Sequence, residues 1–298
     1  MRFLQNRRNT RIAIADIAFT LLLLSLFVYF VFYVSTHMQY HWNWSAIPGY
    51  MFRYDDSVGK WIPNLLMEGF FTTIRLSFWA TILAVLIGTV MGVFRTSRSL
   101  FKRMIGRTYV ELVRNIPPLV LIFIFYFFIS DQIMTALKVD AFVRSLSDEH
   151  KSILTFLFAS PAHFSGFLSA IFTLAIYEGA YITEIVRSGL ESVEKKQWEA
   201  SYALGLSWHQ QMVHIIMPQA VRRILPPLAG QLISTIKDSA IVSVISIQEL
   251  TFQGLELMAA TYLTFEIWIT ITALYFILTF SCSIVVRKLE LYMRRNDP

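Results

Sequence analysis

Ionisable side chains stand inside stretches of this sequence that are otherwise strongly apolar. A charge at the centre of a membrane helix costs about 2.5–3.5 kcal/mol on insertion scales, so each such residue calls for a partner or a water-lined path. Glu178 lies deep in one apolar stretch, and a carboxylate lining a water-filled vestibule could attract the ammonium group of a substrate. An ion pair between Glu178 and Lys237 across a helix bundle is an equal alternative.

Two further pairs of charged residues are close in sequence. Glu184 and Arg187 are three positions apart, which places both on one helical face and predicts an ion pair near the end of the apolar segment. Lys237 and Asp238 are adjacent in another apolar stretch. They either neutralise each other or shape a translocation path, and the sequence leaves both interpretations open.

Arg114 and Asn115 precede a double proline. If a helix starts there, its freed backbone N–H groups favour anions. Alternatively, the arginine extends its side chain to the inner membrane boundary. The polar residues that could line a substrate path are therefore Glu178, Glu184, Gln231, Ser234, Lys237, Asp238 and Arg114.

The sequence contains no motif for catalysis or for a cofactor. A phosphate-binding P-loop needs a glycine, four residues and then Gly-Lys-Ser/Thr, whereas the Gly59-Lys60 pair is followed by tryptophan. His209 and His214 miss the four-residue spacing that would let both ligate one metal. Cys282 is the single cysteine, which excludes an internal disulfide or a cysteine metal cluster. We therefore expect no cofactor, no metal and no enzymatic activity.

A polar segment, Glu199 to Pro218, lies between two long hydrophobic segments. Gly205 is expected to end a first short helix, because glycine accepts the left-handed backbone common at helix ends. Ser207 and Gln210 have the capping-box spacing that starts a second helix, and Pro218 is expected to stop it. Apolar residues recur in that helix at three- and four-residue steps. It either lies on a lipid surface or inserts into a groove of a soluble partner.

The composition, with 55% hydrophobic and 15% charged residues, is typical of a multi-spanning membrane protein. The apolar runs lack the alternation of barrel strands, so we predict an all-α, polytopic fold. About six spans are expected, near residues 12–35, 70–94, 110–130, 165–187, 223–246 and 264–286. The first run is too long for a typical signal-peptide core, and we interpret it as a retained span.

The basic residues give these spans an orientation. Arginine and lysine cluster at the N-terminus, after the second span and in the C-terminal tail, so the positive-inside rule places both termini in the cytoplasm. The Glu199–Pro218 segment then also faces the cytoplasm. The formal net charge of +6 does not indicate nucleic-acid binding, because the basic residues flank apolar segments and do not form one patch.

Several short stretches resemble the permease subunits of bacterial ABC importers. The residues Glu199, Ala200, Gly205, Ile215 and Pro218 are similar to the EAA motif of that family, with Ser201 at its third position. The stretches that resemble the branch importing polar amino acids are 109–119, 180–187, 197–200, 218–220 and 237–245. Together the resemblance covers roughly residues 61–287.

This resemblance implies a type I importer permease fold, in which the EAA loop contacts a separate ATPase. The expected partners are a dimer of ATPase subunits, a second permease chain, identical or related, a periplasmic or lipid-anchored amino-acid-binding protein, and membrane lipid. The substrate would be glutamate, aspartate, glutamine or a similar amino acid, carried across the bacterial inner membrane. The residues expected to couple to the ATPase are Glu199, Ala200, Gly205, Ser207, Ile215 and Pro218.

Two other classes of membrane protein are alternatives to an importer permease. A proton-coupled secondary transporter could relay protons through Glu178, Glu184 and Lys237, but no inverted repeat is evident. A membrane scaffold without transport would not explain the intramembrane charges.

We expect the chain to be organised as an additional helix and basic tail (1–36), a periplasmic loop (37–69), a permease core (70–287, with the coupling loop at 188–222) and a cytoplasmic tail (288–298). The sequence assigns no role to 131–164.

Overall fold

The computed structural model describes residues 14–37, 40–57 and 59–295, which form two compact units, Met1–Asn43 and Trp44–Pro298. In the first unit, helix α1 (Ile14–His37) is 24 residues long, and apolar side chains surround it on all sides. A helix that is apolar all round is suited to lipid or to a protein core. The basic cluster of the predicted tail, at Arg2, Arg7, Arg8 and Arg11, lies outside the described residues.

The second unit is almost entirely helical. Its helices are α2 (Ile47–Met51), α3 (Leu65–Thr96), α4 (Leu100–Asn115), α5 (Pro118–Phe123), α6 (Asp131–Ala136), α7 (Val139–Ser145), α8 (Asp148–Leu157), α9 (Phe164–Glu191), α10 (Lys195–Ala203), α11 (Trp208–Gln210), α12 (Met217–Asp238), α13 (Leu250–Thr261) and α14 (Thr264–Arg295). Two π-helical segments, Ile124–Ser130 and Gln211–Ile216, and two 3₁₀ segments, Trp44–Ala46 and Ser239–Ile245, continue or link them.

Five helical stretches are long and apolar enough to cross a membrane. They are Leu65–Thr96, Pro118–Ala136, Phe164–Glu191, Trp208–Ile245 and Thr264–Lys288. These confirm five of the expected spans and the all-α, polytopic class. In α1 the apolar stretch within the described residues, Asp16–Phe30, is shorter.

The third span differs from its predicted bounds of 110–130. Helix α4 ends at Asn115, Ile116 and Pro117 are extended, and α5 begins at Pro118. The residue before a proline is disfavoured in helical geometry, which explains the break. A helix does start within the predicted stretch, at Pro118, but Arg114 itself is in the last turn of the preceding helix α4.

A close pairing of α3 with α9 organises the bundle. Small residues recur at every fourth position of α3, at Ala80, Ala84, Gly88 and Gly92, and all are buried. A methyl group added at Gly88 would lie 2.5 Å from Ile182 of α9. Stripes of small residues let membrane helices approach closely and gain van der Waals contact. The two helices therefore hold a fixed register along their length.

Three buried clusters follow this pair along the bundle. One surrounds the middle of α9, another lies towards the end of α9 nearest α10, and the third joins α3, α13 and α14 at the opposite end. Their largest fully buried side chains include Phe167, Leu174, Ile182, Ile216, Leu250 and Ile267.

A short β-hairpin occurs in the segment predicted as a loop at 37–69. Strands β1 (Phe52–Asp55) and β2 (Lys60–Pro63) are antiparallel, with Phe52 opposite Pro63 and Asp55 opposite Lys60. The rings of Tyr54 and Trp61 meet edge to face, with centroids 5.7 Å apart. Cross-strand aromatic contacts of this kind stabilise a hairpin, and the sequence analysis did not predict it.

Candidate functional site

The predicted helix break at Gly205 is present. Helix α10 ends before it, and Gly205 adopts φ +72°. Its N–H donates to the carbonyl oxygen of Tyr202 (2.9 Å), and the N–H of Leu206 donates to that of Ser201 (3.3 Å). These two bonds form a Schellman motif, in which the left-handed residue is usually glycine. A Cβ atom at Gly205 would meet nothing within 4 Å, so backbone conformation alone calls for glycine here.

The predicted capping box is also confirmed. The Ser207 N–H donates to Oε1 of Gln210 (2.9 Å), and the Gln210 N–H donates to Oγ of Ser207 (3.4 Å). The prediction that Pro218 stops this helix is wrong, because the chain passes through π-helical turns into α12. Pro218 lies in the first turn of α12, where a missing N–H is tolerated.

One side of the coupling loop, predicted at 188–222, packs against the chain's own helices. Met212 and Ile216 are buried in a cluster with Val186 of α9. Ser201, at the third EAA position, is buried as well, and its hydroxyl donates to the carbonyl oxygen of Trp198 (2.8 Å). A serine is thus accommodated without an unpaired hydroxyl group.

Gln211 is a buried residue of the loop that sequence reasoning missed. Its side-chain Nε2 donates to the backbone carbonyl oxygen of Leu206 (2.8 Å), on the far side of the capping serine. A buried amide normally needs such a partner. The only sequence signal was a second glutamine beside Gln210, which does not indicate burial.

The other side of the loop is exposed and partly apolar. Leu204 is 77% exposed, Tyr202 67% and Trp208 43%, and they lie on either side of Gly205. We call Tyr202, Leu204 and Trp208 the exposed apolar patch. Of the predicted coupling residues, Glu199, Ala200, Gly205, Ser207 and Pro218 are exposed, and Ile215 is half-buried. The loop therefore has one face fixed to the bundle and one face open.

The end of α9 nearest this loop carries a network of charges. Glu184 forms ion pairs with Arg95 of α3 and with Arg187, whose Nε lies 2.9 Å from Oε2 of Glu184. Arg187 also pairs with Glu191. The predicted ion pair of Glu184 with Arg187 is thus present, and Glu184 is shared between two arginines.

Glu178 lies further along α9 and is fully buried. Nε2 of Gln231, on α12, donates to its Oε2 (2.6 Å), whereas its Oε1 has no partner among the described residues. The carboxyl group of Asp238 interacts with that of Glu178. Within the described part of the chain Glu178 makes no ion pair with Lys237, which is exposed, so that alternative is wrong. The residue of α12 that contacts Glu178 is Gln231.

Aromatic side chains connect Arg114 to this buried carboxyl group. The Arg114 guanidinium lies 5.2 Å from the ring centroid of Tyr181, and the hydroxyl groups of Tyr181 and Tyr177 are 3.3 Å apart. Tyr177 in turn interacts with Glu178 and Asp238. The structure therefore joins four of the seven proposed path residues through two tyrosines: Arg114, Glu178, Gln231 and Asp238. Ser234 is partly buried on α12, Lys237 is exposed but interacts electrostatically with Asp238, and Glu184 is not part of the group.

Glu249 is a second buried carboxyl group that sequence reasoning missed. It caps α13 by accepting from the N–H groups of Thr251 (2.9 Å) and Phe252 (2.8 Å). The Tyr275 hydroxyl (2.7 Å) and the Thr73 hydroxyl (3.4 Å) also donate to it. Burial raises the pKa of Glu249 to about 7, although these donors favour its charged form. A single side chain thus links α3, α13 and α14.

Comparison with known proteins gives relatives that this chain matches over almost their whole length. The glutamine transport system permease protein GlnP of Escherichia coli (strain K12) is 31% identical over 259 residues, covering 86% of this chain and 99% of the relative. The probable glutamine ABC transporter permease protein GlnM of Bacillus subtilis (strain 168) is 30% identical, covering 78% and 95%. The glutamate/aspartate import permease protein GltJ of Escherichia coli (strain K12) is 28% identical, covering 86% and 97%.

Two solved structures are similar as well. An amino acid ABC transporter determined with histidines matches with a TM-score of 0.60 and 29% identity, covering 76% of this chain and 94% of that one. The methionine transporter MetNI, in an inward-facing conformation, matches with a TM-score of 0.52 at 18% identity and shows the fold alone. The expected type I importer permease fold is confirmed. The family model described as "binding-protein-dependent transport system inner membrane component" matches residues 84–295, and the chain therefore belongs to this family.

Proposed function

We propose that this chain is the transmembrane permease subunit of an ABC importer for polar amino acids in the bacterial cytoplasmic membrane. The permeases to which it is similar are named for glutamine and for glutamate and aspartate. ATP is hydrolysed on a separate ATPase dimer, and a periplasmic or lipid-anchored binding protein delivers the amino acid to a pair of permease chains. The observation that carries this proposal is the exposed apolar patch beside Gly205.

This patch has the properties of a docking surface on a rigid support. Its opposite face is anchored by buried Met212 and Ile216 and by the Gln211 side chain. A force applied at Leu204 is therefore transmitted to the packed end of α9 and to the start of α12. Nucleotide-driven closure of the ATPases shifts the permease between inward- and outward-open states only if they bind the two states with different affinity.

The geometry does not support a proton relay as the energy source. The relay would need Glu178, Glu184 and Lys237 to exchange protons. Glu184 is held by two arginines, and Lys237 is exposed and makes no ion pair with Glu178 in the described structure. Coupling through a partner ATPase therefore accounts for the site better.

A charge placed in the exposed apolar patch tests the docking proposal. The Leu204→Asp variant, co-expressed with the ATPase and reconstituted in proteoliposomes, should lose most ATP-driven amino-acid uptake and retain less ATPase during affinity purification. Leu204→Met keeps an apolar side chain of similar volume and should behave as wild type. Full uptake and full ATPase retention by Leu204→Asp would refute the docking surface.

We further propose that Glu178 contributes to a path for the amino acid. Oε1 of Glu178 and the neighbouring Asp238 carboxyl group supply acceptor oxygens for an α-ammonium group, and Arg114 supplies positive charge for a carboxylate. Glu178 is closed off in this conformation, so the contact would form when α9 and α12 separate.

A substrate panel tests this path. Glu178→Gln retains the shape of the side chain and replaces one carboxyl oxygen by an amide donor, so uptake of labelled amino acids should fall with a changed ranking among acidic, amide and basic substrates. Glu191→Gln alters an exposed carboxyl group on the same helix and serves as the control. An unchanged ranking for Glu178→Gln would remove this residue from substrate recognition.

A further inference from the structure

Helix α8 is a ten-residue helix in the segment 131–164, to which the sequence assigned no role. Its apolar side chains occupy one side, and Ile153 (53% exposed), Phe156 (79%) and Leu157 (42%) remain uncovered by the chain. Asp148 and Thr155 lie on the other side and are also exposed. This is the pattern of an amphipathic helix whose apolar face is not packed against the protein core.

The end of α8 is fixed to α3 by two side chains. Arg75 donates from Nη1 to the carbonyl oxygen of Thr155 (2.5 Å), and Trp79 donates from Nε1 to that of Leu157 (2.9 Å). The Trp79 ring also stacks on Phe158, with centroids 4.8 Å apart. The last carbonyl groups of a helix have no partner within it, so a cation and an indole N–H are suitable caps. Helix α8 is thereby held at a defined height along α3.

That height corresponds to a membrane boundary. Arg75 and Arg95 are twenty positions apart on α3, which is about 30 Å along a helix and equals the thickness of the hydrocarbon layer. Arg95 pairs with Glu184 near the coupling loop, so Arg75 and α8 mark the opposite boundary. Arginine and tryptophan are the side chains that anchor helices at such boundaries.

The uncovered face of α8 lies near a larger apolar surface, because Phe158 at the end of α8 stacks on Trp79 of α3, and the Trp79 ring meets that of Phe78 edge to face. Helix α3 exposes a stripe of apolar side chains that begins beside its contact with α8 and runs towards Arg95: Phe78, Ile82, Leu86 and Val90. Continuity with this surface of a membrane-spanning helix identifies acyl chains as the occupant. Asp148 and Thr155 on the other side of α8 suit water and headgroups, whereas Glu149 lies in the first turn, four residues before Ile153 on the apolar side.

We propose that α8 is an interfacial helix that inserts Ile153, Phe156 and Leu157 into the lipid leaflet opposite the coupling loop. In the proposed orientation of the chain this is the outer, periplasmic leaflet. The inference relies on the chain spanning the membrane, and it is independent of how the loop engages an ATPase. Helix α8 would then fix the height of α3 in the bilayer.

Site-directed spin labelling of the reconstituted transporter tests this proposal. Single cysteines are placed at Ile153, Phe156 and Thr155 in a Cys282→Ser background, with Leu86→Cys as a reference for lipid exposure. Collision with oxygen, which concentrates in lipid, is compared with collision with a water-soluble nickel chelate. Labels at Ile153 and Phe156 should show an oxygen-to-nickel ratio several-fold higher than the label at Thr155, which lies between them in sequence and on the polar side of α8.

Each other result overturns the proposal. Equal, high nickel accessibility at all three α8 positions would place the helix in water. Low accessibility to both reagents at Ile153 and Phe156 would mean that protein covers this face, either a second permease chain or the binding protein. Because the readout does not depend on uptake, a failure of the coupling proposal would leave this result interpretable.

Discussion

The side-chain amide of Gln211 donates a 2.8 Å hydrogen bond to the backbone carbonyl oxygen of Leu206, and so ties the start of one helix to the turn that precedes it. Gln211→Leu removes this donor inside a buried site, and an unsatisfied carbonyl group there costs about 1–3 kcal/mol. We expect a lower thermal unfolding midpoint of the purified complex and weaker coupling of ATP hydrolysis to uptake. Gln197→Leu, at an exposed position of α10, should change neither quantity. A Gln211→Leu protein with a wild-type midpoint and coupling would contradict this role.

Gly205 adopts φ +72°, so the effect of a substitution there should depend on how readily the new residue adopts the left-handed backbone, and not on its size. Gly205→Val puts a β-branched residue into the left-handed region, which costs about 1–2 kcal/mol, whereas asparagine enters that region readily. Uptake per ATP hydrolysed should fall severalfold in Gly205→Val and remain close to wild type in Gly205→Asn, with equal membrane insertion of both. The two variants have space for their side chains, because nothing lies within 4 Å of a Cβ atom at this position. Equal coupling ratios in the two variants would show that the left-handed turn is not needed.

Glu249 caps α13 from a fully buried position, so its removal should destabilise the end of the bundle at which α13 lies. Glu249→Ala leaves two amide donors and two hydroxyl donors without their acceptor, and loss of a helix cap alone costs about 0.5–2 kcal/mol. Hydrogen exchange should accelerate across 250–261, and the thermal midpoint should fall. Glu256→Ala, at an exposed position on the same helix, should have no such effect.

The Glu249 carboxyl group should also make the stability of the protein depend on pH. Its pKa rises from 4.5 to about 7 on folding because of burial, so the folded state retains a proton that the unfolded state releases. The stability that Glu249 contributes is therefore complete below pH 4.5 and declines as the pH rises towards 7. The difference in midpoint between wild type and Glu249→Ala should be larger at pH 5 than at pH 8. A difference that grows with pH would show that the carboxylate form is preferred in the fold.

Thiol labelling in whole bacteria tests the proposed orientation. In a Cys282→Ser background, His209→Cys lies in the coupling loop and Lys60→Cys lies in the β-hairpin, and both positions are exposed. A membrane-impermeant maleimide should label Lys60→Cys in intact cells, and should label His209→Cys only after the membrane has been opened. Labelling of His209→Cys in intact cells would place the loop outside and end the proposal of an ATPase partner.

The features that the sequence predicted correctly depend on neighbouring residues alone. The left-handed turn at Gly205, the capping box of Ser207 with Gln210 and the Glu184–Arg187 pair each follow from short-range spacing. Pro218 shows the limit of such rules, because a proline is equally compatible with the end of one helix and with the first turn of the next.

A single sequence does not show which helices face each other, so features that depend on such contacts were not predicted. Lys237 and Gln231 are both on α12, and only the packed structure shows that Gln231 faces Glu178. Glu249 and Gln211 are polar residues in weakly patterned segments, and their burial follows from contacts with elements distant in sequence or across a turn. The attachment of α8 to α3 through Arg75 and Trp79 is likewise a contact between elements distant in sequence.

The close approach of Gly88 to Ile182 and of Gly92 to Val186 limits how the protein can move. Ile182 and Val186 occupy the space that a Cβ atom at Gly88 or Gly92 would need, so sliding α9 along α3 would bring these branched side chains against residues that carry a Cβ atom. We therefore expect α3 and α9 to move together as one rigid body. The changes of conformation that alternate access to the two sides of the membrane would then occur at non-helical connections, such as the extended Ile116–Pro117 link.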